Sequence, residues 1–148
     1  MAALTANAVR LTRGTPKYGT AAVADGSTIY VGAIVMWDAS AGRAIPGADS
    51  AGDHVLGIAV GAPHQDGVSV TGNSGGTELV RFAYGHEAFI AANAALTAAF
   101  TGLDAVVEDD NQLTTAADAT NDVRFGRVVE HTSSGVWAEV ANFSGEVA

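Results

Sequence analysis

The sequence contains no cysteine and few basic residues. Without cysteine, neither disulfides nor thiolate zinc sites can hold the fold, and redox chemistry through sulfur is excluded. One hydrophobic core must therefore stabilise the chain, since its 148 residues are about one domain long and can bury roughly 70% of their unfolded surface. Seven Lys and Arg against sixteen Asp and Glu give a net charge of -9. Because phosphate binding depends on cations, no nucleic acid partner is expected.

Long apolar runs are also missing. No stretch approaches the roughly 18 apolar residues of a membrane span, and the start, "MAALTANAVRLTR", lacks a basic leader followed by a long apolar segment. We therefore expect a soluble protein that is made in the cytoplasm and has no membrane partner.

The pattern that is present is mostly that of β-structure. Residues 27–40, "STIYVGAIVMWDAS", mix β-branched and aromatic residues with a glycine, which predicts a strand with a bend or bulge. Pro46 follows in a cluster of turn formers and suits an edge strand or a loop. Residues 54–62, 67–72 and 77–85 are short apolar or alternating runs separated by glycines, as in a β-meander.

Two hairpins and one short helix complete the predicted fold. One hairpin is centred on the acidic run 108–111, and the other on "TSS" at 132–134. In residues 86–102 we expect a strand to about Ile90, then one or two helical turns ending at Gly102. The fold class is therefore mainly β: a compact β-sandwich or barrel-like domain with one short helix and an extended N-terminal arm.

The predicted arm comprises residues 1–22, and a single β-rich domain covers residues 23–148. The arm carries basic residues ahead of the first acid, Asp25, so a basic segment leads into an acidic body. Its basic residues are Arg10, Arg13 and Lys17. Such an arm could dock on an acidic surface. The alternative is a frayed, solvated terminus.

The acidic run Glu108 to Asn111 raises the question of a calcium site. A calcium loop of the EF-hand type needs acids at alternate positions, a glycine at the bend and a glutamate at the twelfth position. "EDDNQLTTAADA" has neither the alternation nor the glycine. A solvated hairpin tip is therefore the preferred interpretation, with a metal at the tip as the alternative.

Ser74 lies in "GNSGG", residues 72–76, which matches the G-x-S-x-G pattern of serine hydrolases. No helix follows it, as an α/β-hydrolase would require. His54 and Asp66 precede the serine, as in trypsin-like enzymes, but over too short a span for two barrels. We interpret the segment as a glycine-rich turn and assign no catalytic residue.

Neither the histidines nor the tryptophans show the spacing of a metal-binding or ligand-binding motif. No pair of histidines has H-E-x-x-H or H-x-H spacing, so no metal or cofactor is expected. The four histidines are His54, His64, His86 and His131. Trp37 and Trp137 each lie in an apolar strand, where a core or interface role is more common than a binding platform.

Four segments together resemble the small head-decoration, or capsid cement, proteins of tailed phages. They are "VGAIVMWDASAGRAIPGADSAGDHVLGIAVG", "VRFAYG", "LTAAFTGLDAVVEDDNQLTT" and "FGRVVEHTSSGVWAEV", which span most of the chain. The resemblance implies a structural virion protein rather than an enzyme. Its expected partner is the major capsid protein, its expected location is the outer surface of the expanded shell, and its expected state is a homotrimer.

Within this interpretation the arm is the expected capsid-binding element. We predict that it becomes ordered on the shell, because folding on contact lets a short segment cover a large surface. The predicted capsid-binding residues are Arg10, Arg13, Lys17 and Tyr18. Two alternatives remain open at this stage: a small serine hydrolase using Ser74, and a glycan-binding or adhesion module using an exposed tryptophan.

Overall fold

Fourteen short strands and one 3-10 turn form the regular structure of residues 3–141, the part of the chain that the computed structural model describes. The strands are β1 (Thr12–Arg13), β2 (Lys17–Ala22), β3 (Thr28–Ile29), β4 (Ile34–Asp38), β5 (Arg43–Pro46), β6 (His54–Ala62), β7 (Gln65–Asp66), β8 (Val70–Thr71), β9 (Leu79–Tyr84), β10 (Glu87–Ala92), β11 (Asp104–Val107), β12 (Gln112–Thr114), β13 (Arg124–Thr132) and β14 (Gly135–Glu139). The mainly β fold class predicted from the sequence is confirmed.

The C-terminal half forms a closed ring of strands. Its sheet has the order β1-β10-β12-β11-β13-β14, and β10 also pairs with β14, so five strands form a small barrel. Only the β10 and β12 pairing within this ring is parallel. The apolar faces of the ring enclose a core that includes Phe125, Ile90 and Leu113, each fully buried. Closure removes the exposed edges that an open sheet would present.

The N-terminal half forms a second, less completely closed sheet. Its strand order is β2-β9-β6-β4-β5, with β7 paired to β6. A parallel bridge between Val23 and Ala44 joins the end of β2 to β5, so the two edges of this sheet meet at one point. A second apolar cluster, which includes Val35, Leu56 and Phe82, fills the inner face. β3 and β8 form a separate two-stranded sheet.

Two local predictions are confirmed and one is wrong. The predicted single strand at 27–40 is two strands, β3 and β4, because the chain turns at Gly32 with a φ of +89°. The register of β4 against β6 shifts separately between Val35 and Met36. Pro46 ends β5, an edge strand, where its missing N–H costs no ladder hydrogen bond. Both hairpins are present, as β11 with β12 and β13 with β14.

The predicted helical segment is a single 3-10 turn, Ala98–Phe100. β10 runs to Ala92, slightly beyond the predicted end of the strand at Ile90. Gly102 follows the turn with a φ of +87°, a conformation that favours glycine, and the chain then enters β11. In residues 3–141, no helix is long and apolar enough to span a bilayer.

The predicted separate arm, residues 1–22, contributes strands to both of the larger sheets through residues 12–22. β1 pairs with β10, and all six residues of β2 pair with β9. The segment is extended as expected. Its backbone, however, is hydrogen-bonded to the body of the isolated chain, so the described part of the arm needs no partner to become ordered.

Candidate functional site

The first described residues form a strap, which we define as residues 4–13. The backbone N–H of Leu4 donates to Asp110 Oδ1 at 2.8 Å. The N–H of Val31 donates to Asn7 Oδ1 at 2.9 Å, and the N–H of Ala8 donates to the Val31 carbonyl at 2.8 Å. These bonds join the strap to two distant parts of the chain and fix its path across the surface.

Arg10 is the main side-chain anchor of the strap. Its Nε donates to the Gly32 carbonyl at 2.7 Å, and its Nη2 donates to Asn111 Oδ1 at 2.8 Å. Burial lowers the pKa of Arg10, while the carboxylates of Asp110 and Asp109 raise it. The guanidinium therefore faces into the protein. This position argues against the predicted role of Arg10 as a direct contact to the capsid.

The acidic hairpin tip accepts hydrogen bonds from the strap. Asp110 was predicted to be solvated but is only 3% exposed, so that prediction is wrong. Its carboxylate accepts from Leu4, and its carbonyl accepts from the N–H of Ile34 at 2.9 Å. Burial raises the pKa of Asp110; the Leu4 N–H lowers it, Asp109 raises it and Arg10 lowers it. The tip is a turn that clasps the N-terminal strap.

Arg13 lies at the exposed end of the strap. Its guanidinium stacks 3.7 Å from the centre of the Trp137 ring, and its Nη2 lies 3.1 Å from Glu130 Oε1. The distance from Arg13 Nη1 to Glu87 Oε1 is 3.7 Å. The Arg13 side chain remains 44% exposed, so it is both positioned and accessible.

Lys17 and Tyr18 begin β2 next to the strap. Tyr18 is 49% exposed, and the Arg81 guanidinium lies 3.8 Å from the centre of its ring. Arg81 is held in turn by Asp66 at 3.1 Å. Lys17 is exposed, and no residue in the described range forms an ion pair with it. Arg13, Lys17 and Tyr18 thus each have an exposed side chain, whereas Arg10 is turned inward.

Val9 and Leu11 are apolar residues of the strap that the sequence reasoning missed. Val9 is 93% exposed and Leu11 is 61% exposed. They alternate with the inward-facing Arg10, as expected of extended chain whose successive side chains point to opposite sides. The signal in the sequence is the alternation "VRLTR" at 9–13.

The strap region concentrates large apolar side chains at the surface. Six such side chains are exposed within residues 3–141, and three of them belong to residues 9–18. The six are Val9, Leu11, Tyr18, Leu79, Leu103 and Val129. A groove of about 310 Å³ adjoins Val9 and Tyr18 and is lined mostly by apolar residues, including Val31 and Ile58. Clustered exposed apolar groups beside a groove are typical of interaction surfaces.

A larger cleft of about 580 Å³ lies at one end of the barrel. Arg124 Nε is 2.8 Å from Asp104 Oδ2, and Arg127 Nε is 3.2 Å from Glu139 Oε1. The charged lining residues are Arg13, Arg124, Arg127, Glu87, Asp104 and Glu139. Their charges balance within the cleft, so it has no net charge with which to select an ion.

His86 lies between the cleft and the groove and is buried, with 7% of its surface exposed. Within residues 3–141, no hydrogen-bond partner lies at its Nδ1 atom. Burial lowers the pKa of His86, and a backbone hydrogen bond at Tyr84 partly opposes this effect. The folded protein therefore disfavours the imidazolium.

The free energy of unfolding should fall as the pH is lowered from 7.5 to 5.5. A His pKa that is lower in the folded than in the unfolded state means that unfolding binds protons below the unfolded pKa. We expect His86→Leu to reduce this loss, as measured by urea unfolding at both pH values. His64→Leu, at an exposed position, is the control. If the free energy of unfolding fell equally in the wild type and in His86→Leu between pH 7.5 and 5.5, His86 would not be the source of the pH dependence.

Ser74 is exposed in a loop organised by Asn73 and Arg43. Asn73 Oδ1 accepts from the N–H of Thr77 at 3.0 Å. Arg43 donates to the carbonyls of Asn73 and Ser74 at 3.3 and 3.4 Å. In residues 3–141 no hydrogen bond joins the Ser74 hydroxyl to a histidine. The geometry is that of a stabilised turn.

We expect no labelling of Ser74 by a fluorophosphonate probe, because no base activates its hydroxyl in the described structure. Mass spectrometry of the labelled protein checks this expectation. Ser74→Ala serves as the blank. A modified peptide that contains Ser74 in the wild type alone would overturn it and favour the hydrolase alternative.

Metal-binding side chains do not converge anywhere in residues 3–141: no group of three His, Asp or Glu is placed to hold an ion. His131 Nε2 lies 3.1 Å from the Leu96 carbonyl, and His64 is exposed. Trp137 contacts Phe89 edge to face at 5.4 Å, while Trp37 packs against the second core.

Comparisons with protein-family models, with curated protein sequences and with solved structures gave no significant match. Functional inference for this chain therefore depends on its own surface. The most distinctive part of that surface is the strap, with its exposed apolar residues and neighbouring cations.

Proposed function

We propose that this protein is a structural virion component that binds the outer surface of an expanded phage capsid. In this proposal it bridges neighbouring major capsid subunits, acts as a homotrimer and has no catalytic role. It would be made in the host cytoplasm and would end on the outside of the virion. The motivation is the resemblance of the four quoted segments to capsid cement proteins. The compact, mainly β fold is compatible with it.

The observation that carries the proposal is the exposure of Val9 at 93% and of Leu11 at 61%. Both residues lie on a strap whose backbone is already fixed to the body. A fixed apolar strip loses little conformational entropy when it binds, so more of its burial free energy remains as affinity. The strip is accordingly suited to docking on another protein.

The charges near the strip favour an acidic docking surface. Arg13 and Lys17 are exposed beside it, although the chain as a whole has a net charge of -9. Positive groups on an otherwise acidic protein orient its approach and discriminate against wrong faces of the partner. The expected capsid surface therefore has apolar residues flanked by carboxylates.

Stabilisation of the shell would follow from differential binding. A protein that binds the expanded lattice but not the unexpanded one adds its binding free energy to the stability of the expanded lattice. Contacts to two or more capsid subunits would have to break before the shell could open. A homotrimer would multiply weak contacts into avid attachment, provided that all three straps reach their sites together.

We expect the double variant Arg13→Ala/Lys17→Ala to bind expanded shells about 3- to 10-fold more weakly at low salt. The difference should shrink as salt is raised, because exposed charges are screened. Quantitative co-sedimentation at two salt concentrations measures both effects. Arg10 is left unchanged, since its loss would release the strap itself.

The charge control is Arg124→Ala/Arg127→Ala, which removes the same charge from two other residues of the cleft that Arg13 also lines and leaves the strap and β2 unchanged. We expect its shell affinity to be close to that of the wild type. Equal weakening by the two double variants would point to net charge alone. No weakening by Arg13→Ala/Lys17→Ala at low salt would remove these two residues from the binding surface.

A further inference from the structure

A further concave site lies on the inner face of the N-terminal sheet. Its volume is about 250 Å³. Its lining residues are Thr20, Ala21, Trp37, His54, Leu56 and Phe82. No Asp, Glu, Lys or Arg lines it, unlike the charged cleft at the barrel end.

The incomplete closure of this sheet explains the site. Beyond the bridge that joins Val23 to Ala44, no pairing connects β2 to β5. Near this gap the inner face of β2 carries only the small residues Gly19 and Ala21, opposite Phe82 and Val80. The Phe82 ring packs against Gly19, where an added Cβ would lie 2.7 Å from a ring atom, so the space above the second core lies beside Ala21. Mouths of barrel-like sheets are common positions for small-ligand sites.

Two buried apolar residues form the floor of this space, and an aromatic pair lies beside it. Leu56 and Phe82, each 4% exposed, form the apolar floor. Trp37 is paired with His54 across β4 and β6, which places both side chains on the same face. Leu56 lies two residues beyond His54 on β6 and shares that face. The indole thus stands beside an imidazole at the opening.

Trp37 differs from Trp137 in what surrounds its ring. The Trp137 ring is stacked by Arg13 at 3.7 Å and contacted by Phe89 at 5.4 Å. Within the described part of the chain, Trp37 has neither a cation nor an aromatic ring stacked on it. Trp37 packs against the second core, and its partly exposed indole lines the pocket.

We propose that this pocket binds the pyranose ring of a neutral carbohydrate. An indole face packs well against the apolar C–H face of a sugar ring, and polar groups at the rim suit its hydroxyls. The lack of ionic residues in the lining favours an uncharged ligand over an acidic or basic one. This inference does not depend on capsid binding. In a decorated shell it would give the outer surface a glycan-binding function.

The test follows the fluorescence of Trp37 in the full chain carrying Trp137→Phe. The probes are methyl glycosides of glucose, galactose, mannose, N-acetylglucosamine and N-acetylgalactosamine. We expect at least one to change the emission saturably, with a dissociation constant on the order of millimolar. Sorbitol, which has similar hydroxyls but no ring, should have no effect.

Ala21→Leu in the same background fills the pocket but keeps Trp37. We expect it to abolish the response while unfolding stays cooperative. In the chain with both tryptophans, the indole N–H resonance of Trp37, but not that of Trp137, should shift with the same sugar. This second measurement uses the chain without substitutions, so it does not depend on whether the Ala21→Leu variant folds.

Three results would overturn the proposal. One is the absence of a saturable response to any glycoside up to about 100 mM. Another is a response to sorbitol equal to that of the sugars. The third is a response that persists in a folded Ala21→Leu variant, which would place binding elsewhere.

Discussion

Replacing Arg10 by Met is expected to lower the free energy of unfolding by about 2 to 4 kcal/mol. The substitution removes the hydrogen bonds to the Gly32 carbonyl and to Asn111 Oδ1, and it leaves Asp110 buried without its nearby cation. Methionine keeps most of the aliphatic length, so the loss reports the guanidinium. Urea unfolding followed by fluorescence measures the change.

Arg13→Met is the matched control for this experiment. It removes the same group from the same strap, but Arg13 is 44% exposed and its ion pairs lie at the surface. We expect it to change stability by at most about 1 kcal/mol. Equal effects of the two substitutions would show that Arg10 does not anchor the strap. Arg10→Lys should be little more stable than Arg10→Met, because lysine lacks the planar guanidinium that reaches both acceptors.

The double variant Val9→Asp/Leu11→Asp is expected to weaken binding to expanded shells by at least about 100-fold. Burying uncompensated carboxylates at the centre of an interface is costly, and in a trimer the loss is repeated at every strap. Stability should change by less than about 0.5 kcal/mol per site, since both side chains are exposed in the free protein. Co-sedimentation and urea unfolding separate the two effects.

Leu103→Asp/Val129→Asp provides a control with the same added charge. Those residues are also exposed, at 55% and 39%, but they lie outside the strap. We expect shell binding to remain within a few-fold of the wild type. Wild-type affinity for the strap variant would disprove the role of the strap in docking. If the control lost affinity to the same degree, added charge alone would explain the result.

The strap also changes how docking is expected to occur. The sequence favoured an arm that becomes ordered on the shell, at the entropic cost of ordering each residue. In the described structure residues 4–13 are already held by the hairpin tip and by β10. Binding by a preformed strip should show a small change in backbone order on docking.

Much of the fold could be predicted from local sequence patterns. The hairpin at 132–134 and the edge position of Pro46 each depend on a few neighbouring residues. Turn formers and β-branched residues encode such features locally. The ring closure by β10 and β14 could not be predicted in this way, since it joins strands far apart in the chain.

The strap site illustrates the same limit. Arg10 and Asn111 are separated by 101 positions, and Leu4 and Asp110 by 106. An acidic turn has the same local sequence whether it is solvated or clasped by the N-terminus. The inward orientation of Arg10 therefore could not be predicted from the sequence, and a role of the other basic residues of the arm in binding stays a prediction.

The most direct test of the proposed function is co-sedimentation of the purified protein with expanded and unexpanded shells of its proposed partner, a phage major capsid protein. Light scattering on the same preparation gives the number of chains per particle. We expect a species of about three chains that pellets with expanded shells and stays in the supernatant with unexpanded ones. Failure to pellet with either shell, or equal binding to both, would contradict the proposal that this protein clamps the expanded capsid.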